Sequence, residues 1–411
     1  MRRARLIRHS VIPIAAVAGL VLAAGCSSGG SKNTSSNSGN SSNVNVSSLA
    51  SDVTSAAALP SFSTYAAQYG GNVPTTGLAG KKLMIIPGAG LAACTEIAQA
   101  DAAIAKDAGM VPTIFANDGT TAAHNTGIEN AIHQGYAAID FGCAGDPSTS
   151  AVAFKQAEAA GIAVAVYGAT PQEAAAAGVT YNNVDPYALD AKIAAEQAVA
   201  QHNGKPFKAI AITSNAAPAT AIMEAALKAE LKKDCPACSV TEVNVEVPQW
   251  ATDIQSTVSQ SLLQHPDVTV LFPDYAGMLT YMLAGIQSAH RTNSIKAYLA
   301  FGGGTPFVQL QTQEPGKSII QSDIGGYPPW TGYLMFLQTA RALAKMPPIS
   351  YTDAIGPDRV VTPQNAVEVL TTGGWGTDWV NGFRGLLGLP ALSGQDLTAA
   401  ATLNGAMVGK P

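Results

Sequence analysis

Three aspartates stand where carboxylate chemistry could be done: Asp146 in GCAGDPSTS, Asp274 in PDYAG and Asp323 in SDIGGYPPW, each just after an apolar run. Hydroxyl and amide groups occupy similar stretches: Thr95 in PGAGLAACTE, Thr170 in GATPQE, Ser214 and Asn215 in SNAAPAT, and Thr305 in GGGTPF. None of these segments contains lysine, arginine or histidine. Carboxylates and amides accept or share hydrogen bonds from hydroxyls, so the set suits a neutral sugar or polyol. An anionic ligand would ordinarily recruit the guanidinium fork and here would have only backbone N–H groups and helix N-termini. Tyr275, Tyr327, Trp330 and Phe307 offer flat faces for the apolar side of a ring, and equally for an aromatic or nucleoside-like compound or a cation.

Each candidate also has a purely structural role open to it. Asp146 precedes Pro147 and suits a helix N-cap. Asp323 suits a hinge, bonding to backbone. Tyr275 and Trp330 suit packing, and Trp250 in PQWATD reads as packing. The glycine run 302–304 lacks the Lys-Ser/Thr of a phosphate-binding loop and reads as a tight turn.

Catalysis is not indicated. The one G-x-S-x-G, Gly25 to Gly29, falls in the N-terminal leader region rather than on a strand-to-helix turn; the body of the chain has none, and there is no H-E-x-x-H. His124, His133, His202, His265 and His290 occur singly, with no pair at metal-ligand spacing. The expectation is a protein without cofactor, metal or enzymatic activity.

The elements that must position these residues alternate in type. Apolar runs at Leu83–Pro87, Val111–Ala116, Ala138–Gly142, Ile162–Tyr167 and Val179–Val184 read as strands, and helical periodicity falls between them. The rhythm restarts at Lys208–Thr213, Val240–Val247, Val268–Phe272, Ile295–Phe301 and Ser318–Ser322, with a last long helix over Trp330–Lys345. Two such runs predict α/β architecture with two doubly wound parallel-sheet lobes, ligand meeting the loops at the carboxyl ends of the strands.

The N-terminus is set apart. Arg2, Arg3, Arg5 and Arg8 precede an apolar segment from Val11 to Leu22, and Ala23-Ala24-Gly25-Cys26 follows, as in a secretory signal with a bacterial lipobox. Residues 1–25 are expected to be removed and Cys26 diacylated, anchoring the chain to the outer face of the membrane. Ser27 to Ser48 is nearly all Ser, Asn and Gly and reads as a tether, and Leu49 to Gly77 reads as a short lead-in with one helix and Pro punctuation, so residues 26–77 form a tether and lead-in. The chain has 23 basic and 28 acidic residues; without the four leader arginines the balance is 19 against 28, which gives no electrostatic reason to bind nucleic acid.

LMIIPGAG and AAIDFGCAGDPSTSAVAFKQAEAAGIAVAVYG resemble the N-terminal domain of type I periplasmic binding proteins. VTVLFPDYAGMLTYMLAGIQSA is similar to that family's second-domain segment, and IKAYLAFGGGTP with SIIQSDIGGYPPWTGYLMFLQTARAL to its last strands and crossover helix. The resemblance spans about Lys81 to Val361 and is nearest the ribose-type branch. It implies a three-segment hinge, with residues 78–185 and about 324–357 in one lobe and 186–323 and about 358–411 in the other. It also implies a monomeric receptor that closes on a small molecule and passes it to an ABC permease and its ATPase; a sensory receptor serving a membrane kinase or chemoreceptor is the alternative. The chain departs from sugar-binding relatives at SNAAPAT, where they usually carry an arginine, and at Gly302-Gly303-Gly304, where they usually carry an aspartate. Four cysteines remain in the body, with three possible pairings. Cys94 and Cys143 follow neighbouring strands of the implied fold and are expected to pair, leaving Cys235 and Cys238 as a structural clip.

Overall fold

The computed structural model describes residues 44–143, 145–215, 217–302, 318–350, 356–372 and 374–402. Cys26, Thr305, Phe307 and most of the glycine run lie outside them. The chain opens with helices α1 (Val46–Ala56) and α2 (Phe62–Ala66). The first βα series follows: β1 (Lys82–Pro87), α3 (Ala92–Asp107), β2 (Val111–Ile114), α4 (Thr121–His133), β3 (Ala138–Gly142), α5 (Ala151–Ala159), β4 (Ala163–Tyr167), α6 (Pro171–Ala177) and β5 (Tyr181–Asn183). Its five strands are parallel, in the order β2-β1-β3-β4-β5.

The second series runs α7 (Tyr187–Gln201), β6 (Lys208–Thr213), α8 (Pro218–Asp234), β7 (Ser239–Asn244), α9 (Trp250–Gln264), β8 (Val268–Pro273), α10 (Leu279–Ser288), β9 (Lys296–Tyr298) and β10 (Ile320–Gly325). Next come α11 (Pro328–Leu343), β11 (Arg359–Val361), α12 (Ala366–Thr372), α13 (Asp378–Leu386) and α14 (Gly394–Thr402). The second sheet is ordered β11-β10-β9-β8-β6-β7, with β11 antiparallel at its edge.

The central strands are mostly apolar because both faces are covered, with the buried Asp140 in β3 as an exception. Leu83 and Ile85 enter one core while Met84 and Ile86 enter the core on the opposite face, as the pleat requires. Ala209 and Ala211 are likewise separated from Ile210 and Ile212 in the second lobe. The edge strand β2 carries Pro112 and is largely exposed, the position a sheet tolerates for proline.

Two expectations change. The lead-in helix α1 starts at Val46, inside the end of the expected tether; its N-cap Asn45 accepts from the Ser48 N–H, and its Leu49 and Val53 pack with the α7 core of the second lobe. The chain after β11, expected with the second lobe, returns to the first. Trp375, Trp379, Phe383 and Leu387 are fully buried in the cluster that holds Leu83, Ile85 and α11. Phe62 of α2 packs there too, so close that a Cβ on Gly382 would sit 2.1 Å from its ring. The lobes are therefore joined by more chain than three crossovers.

Candidate functional site

In both sheets the strand order reverses, between β1 and β3 in the first and between β6 and β8 in the second. Loops leaving the carboxyl ends of strands at such a point diverge and leave a crevice. In the first lobe these are the loops 88–91 and 143–146; in the second they are 214–217 and 274–276. Leu91 of the first lobe packs against the second lobe's Ile210–Leu299 core, which brings the two sets of loops to one boundary. Tyr187, at the start of α7, stacks edge-on with Phe301 at 5.1 Å and turns its hydroxyl to the Gly168 carbonyl at 3.5 Å.

On the first-lobe wall, Cys94 and Cys143 form the expected disulfide and tie the first turn of α3 to the loop after β3. Cys143 has φ 62°, in the left-handed region. Thr95 is exposed and donates to the Leu91 carbonyl at 3.3 Å. Asp146 caps the short helical turn Pro147–Ser150, with its two carboxylate oxygens accepting from the Ser148 N–H at 2.8 Å and hydroxyl at 2.7 Å. Thr170 is buried and forms a capping box with Glu173 at α6.

The second-lobe wall brings more together. Asp274 is 2% exposed and lies against Thr220 and Glu224 of α8. Burial pushes the Asp274 carboxyl up to about 7, and burial beside Asp274 pushes Glu224 up to about 7 as well. Two carboxylates in one dry pocket cannot both be ionised, so this pair shares a proton near neutrality. The nearest cation, Lys228, is 3.6 Å from Glu224 and bonds to Glu242. The Tyr275 hydroxyl meets Thr220 Oγ1 at 3.3 Å, and its ring lies 5.8 Å from Trp250 and 6.3 Å from Phe301. Trp250 is a buried support, donating Nε1–H to Ser214 Oγ at 2.8 Å. Asn215 is exposed, its N–H donating to Asn244 Oδ1 at 2.8 Å. Sequence reasoning passed over Glu224; Thr220, Glu224 and Lys228 recur at i, i+4 and i+8, one face of a helix, which was the available signal.

Asp323 and Trp330 stand apart from these groups. Asp323 is fully buried in β10, close enough to Gly302 that a Cβ there would overlap its carboxylate. Trp330 belongs to the core: it is 0% exposed, lies 5.7 Å from both Phe62 and Trp379, and donates to the Tyr69 hydroxyl at 2.9 Å. Pro328-Pro329 begins α11 and turns the indole inward, away from the crevice, so the packing role holds for it.

The four arginines of the body are all engaged elsewhere. Arg291 donates to the Val268 carbonyl at 2.6 Å, and Arg341 to that of Pro347 at 2.8 Å. Arg359 pairs with Glu368 and Arg384 with Asp107. A hollow of about 310 Å³ lined by His202, Lys296 and Gln321 lies at the amino ends of β8, β9 and β10, away from the crevice loops.

Two doubly wound lobes with a crevice between their switch-point loops define a bilobal solute-binding architecture. The model of the periplasmic binding protein domain matches residues 84–345, more than half of the chain, and the protein belongs to that family. Comparison with curated proteins finds no match. Among solved structures, the chain is similar to the 5-methylthioribose transporter solute binding protein of Thermotoga lettingae in complex with 5-methylthioribose (TM-score 0.61, 15% identity, 80% of this chain and 99% of that one). It is also similar to an ABC transporter solute binding protein of Agrobacterium vitis with bound allitol (0.59, 20%, 71% and 98%). A third, from Burkholderia graminis in complex with D-arabinose, gives 0.58, 16%, 70% and 97%. At these identities the likeness is one of fold.

Proposed function

We propose that the protein is an extracytoplasmic receptor that captures a neutral sugar or polyol between its lobes and delivers it to an ABC import permease. The observation that carries this reading is the chemistry of the crevice. Its described loops hold hydroxyl, amide and carboxyl groups and no cationic side chain, while all four arginines are committed to other contacts. The solved structures of similar fold hold 5-methylthioribose, allitol and D-arabinose, each a neutral polyhydroxy compound. Asp274, Tyr275 and Asn215 would contact ligand from the second lobe, and Thr95, Asp146 and Thr170 from the first. Ligand touching both walls favours the closed arrangement, and closure is the signal a permease would read. Among the described residues no helix is long and apolar enough to cross a membrane, so in this reading the lipid on Cys26 is the anchor and the permease and ATPase are separate chains. The receptor acts as a monomer and leaves its ligand unchanged.

Mass spectrometry of small molecules released by denaturing the protein purified from its own cells tests this. An intact neutral polyhydroxy compound is expected in stoichiometric amount. Recovery of a cleaved or oxidised product, or of an organic anion instead, contradicts the reading.

A further inference from the structure

Two of the segments that pass between the lobes deliver carboxyl groups to one buried place, and a third brings a glycine against them. Asp185 lies between β5 and α7, Asp190 in the first turn of α7, and Asp358 at the entry to β11. Asp185 is 4% and Asp190 0% exposed; Asp358 is half-buried as a residue, but both its carboxylate oxygens are shut off from solvent. Gly326, on the crossover from β10 to α11, closes the group: a Cβ there would lie 2.9 Å from Asp358 Oδ1 and 3.6 Å from Asp185 Oδ1. Asp190 and Asp358 face each other, and none of their four oxygens accepts a hydrogen bond from a described N–H or O–H.

The groups around this pair carry no compensating charge. From β4, the Tyr167 hydroxyl donates to Asp185 Oδ2 at 2.5 Å. Tyr187 of α7 lies beside Asp185, Tyr65 beside Asp358, and Asp323 of β10 within electrostatic reach of Asp190. Arg359, next in sequence to Asp358, turns its guanidinium to the carbonyls of Ala57 and Gly374 and to Glu368. No described lysine, arginine or histidine forms an ion pair with Asp185, Asp190 or Asp358. Adjacent buried carboxyls without a cation hold a proton between them, the O–H of one donating to the other. Burial holds Asp190 well above the carboxylate range, lifts Asp358 to about 8 and Asp185 to about 6.

We propose that Asp185, Asp190 and Asp358 form a proton-held latch on the hinge. With a proton shared between Asp190 and Asp358 the crossing segments are drawn together. When that proton leaves as the pH rises, buried like charges repel and the lobes gain freedom to separate. Ligand retention by the proposed receptor would then weaken in alkaline surroundings. That consequence rests on the binding reading, whereas the latch itself does not.

The test therefore uses the protein without ligand. Asp358→Asn keeps a donor permanently on Asp190, mimicking the protonated state. The infrared difference spectrum of wild type minus D358N at pH 7 should show the carbonyl band of one protonated acid; the buried pairs Asp101–Asp140 and Asp274–Glu224 are common to both proteins and cancel. Small-angle scattering should show the radius of gyration of the wild type rising between pH 5.5 and pH 9, and that of D358N unchanged. Absence of the acid band, a wild-type radius indifferent to pH, or a D358N radius that responds like wild type would each overturn the latch. Should D358N fail to fold, Asp190→Asn is expected to give the same two results and is judged by the same outcomes. Loss of the latch with intact polyol binding would leave the proposed function standing, and the reverse result would leave the latch.

Discussion

Trp330→Ala should lower the unfolding free energy by about 3–5 kcal/mol, the range for removing a large aromatic from a packed core. The indole is 0% exposed and is surrounded by Phe62, Tyr65, Tyr69, Trp379 and Phe383, with ring centroids 5.7–5.9 Å away for the four that it packs against directly. Its removal opens a cavity where α2, α11 and α13 meet and takes away the donor to the Tyr69 hydroxyl. Because these helices come from both ends of the chain, the loss is felt by the closure of the first lobe as a whole. Denaturant unfolding checks this: the midpoint should fall with little change in slope. Unaltered stability together with lost ligand affinity would instead return Trp330 to the crevice.

The second large effect concerns the disulfide between Cys94 and Cys143. It closes a loop with a sequence separation of 49. In the chain-entropy account that constraint is worth about 4 kcal/mol, against about 2 kcal/mol for a loop as short as that of Cys235–Cys238, whose separation is 3. The double substitution C94A/C143A should therefore destabilise about twice as much as C235A/C238A. Cys143 keeps an L side chain in its left-handed conformation in the first variant, so backbone strain is unchanged. Since the bond also fixes the first-lobe wall, C94A/C143A should weaken ligand binding while C235A/C238A leaves it alone. Equal losses in the two variants, by thermal unfolding, would contradict this assignment.

Much of the fold was legible in the sequence because parallel strands buried on both faces must be continuously apolar. Lys208–Thr213 is a strand with the predicted bounds, and both disulfides pair as expected. The failures share a cause, which is that local pattern reports burial without reporting the partner. Trp379, Phe383 and Leu387 mark a buried helix face, yet nothing in their spacing says that the face lies in the first lobe. The serine-rich composition around Val46 suggested a tether, while the spacing of Val46, Leu49 and Val53 along one helix face already allowed docking on α7.

The crevice was legible in part for the same reason. Its lack of cations is a property of composition, and Asp274 with Tyr275 could be picked out as the residues that end β8. Glu224 was not recognised, because an acidic side chain on a lysine-rich helix ordinarily reads as solvated; only the packing of α8 against the loop after β8 puts it beside Asp274. Trp330 misled in the opposite sense. It sits in a Gly- and Pro-rich run at a crossover, and the direction of the following helix decides that it points into the core.

The central claim, capture of a neutral polyhydroxy ligand, is tested most directly by a thermal-shift screen of the purified protein against sugars, polyols, nucleosides, organic acids and amines. A ligand at a hundred times its dissociation constant should stabilise the folded state by about 2.7 kcal/mol. The account predicts that at least one neutral sugar or polyol gives such a shift and that Asp274→Ala abolishes it while unfolding cooperatively without ligand. A panel in which only anionic compounds raise the midpoint would contradict it.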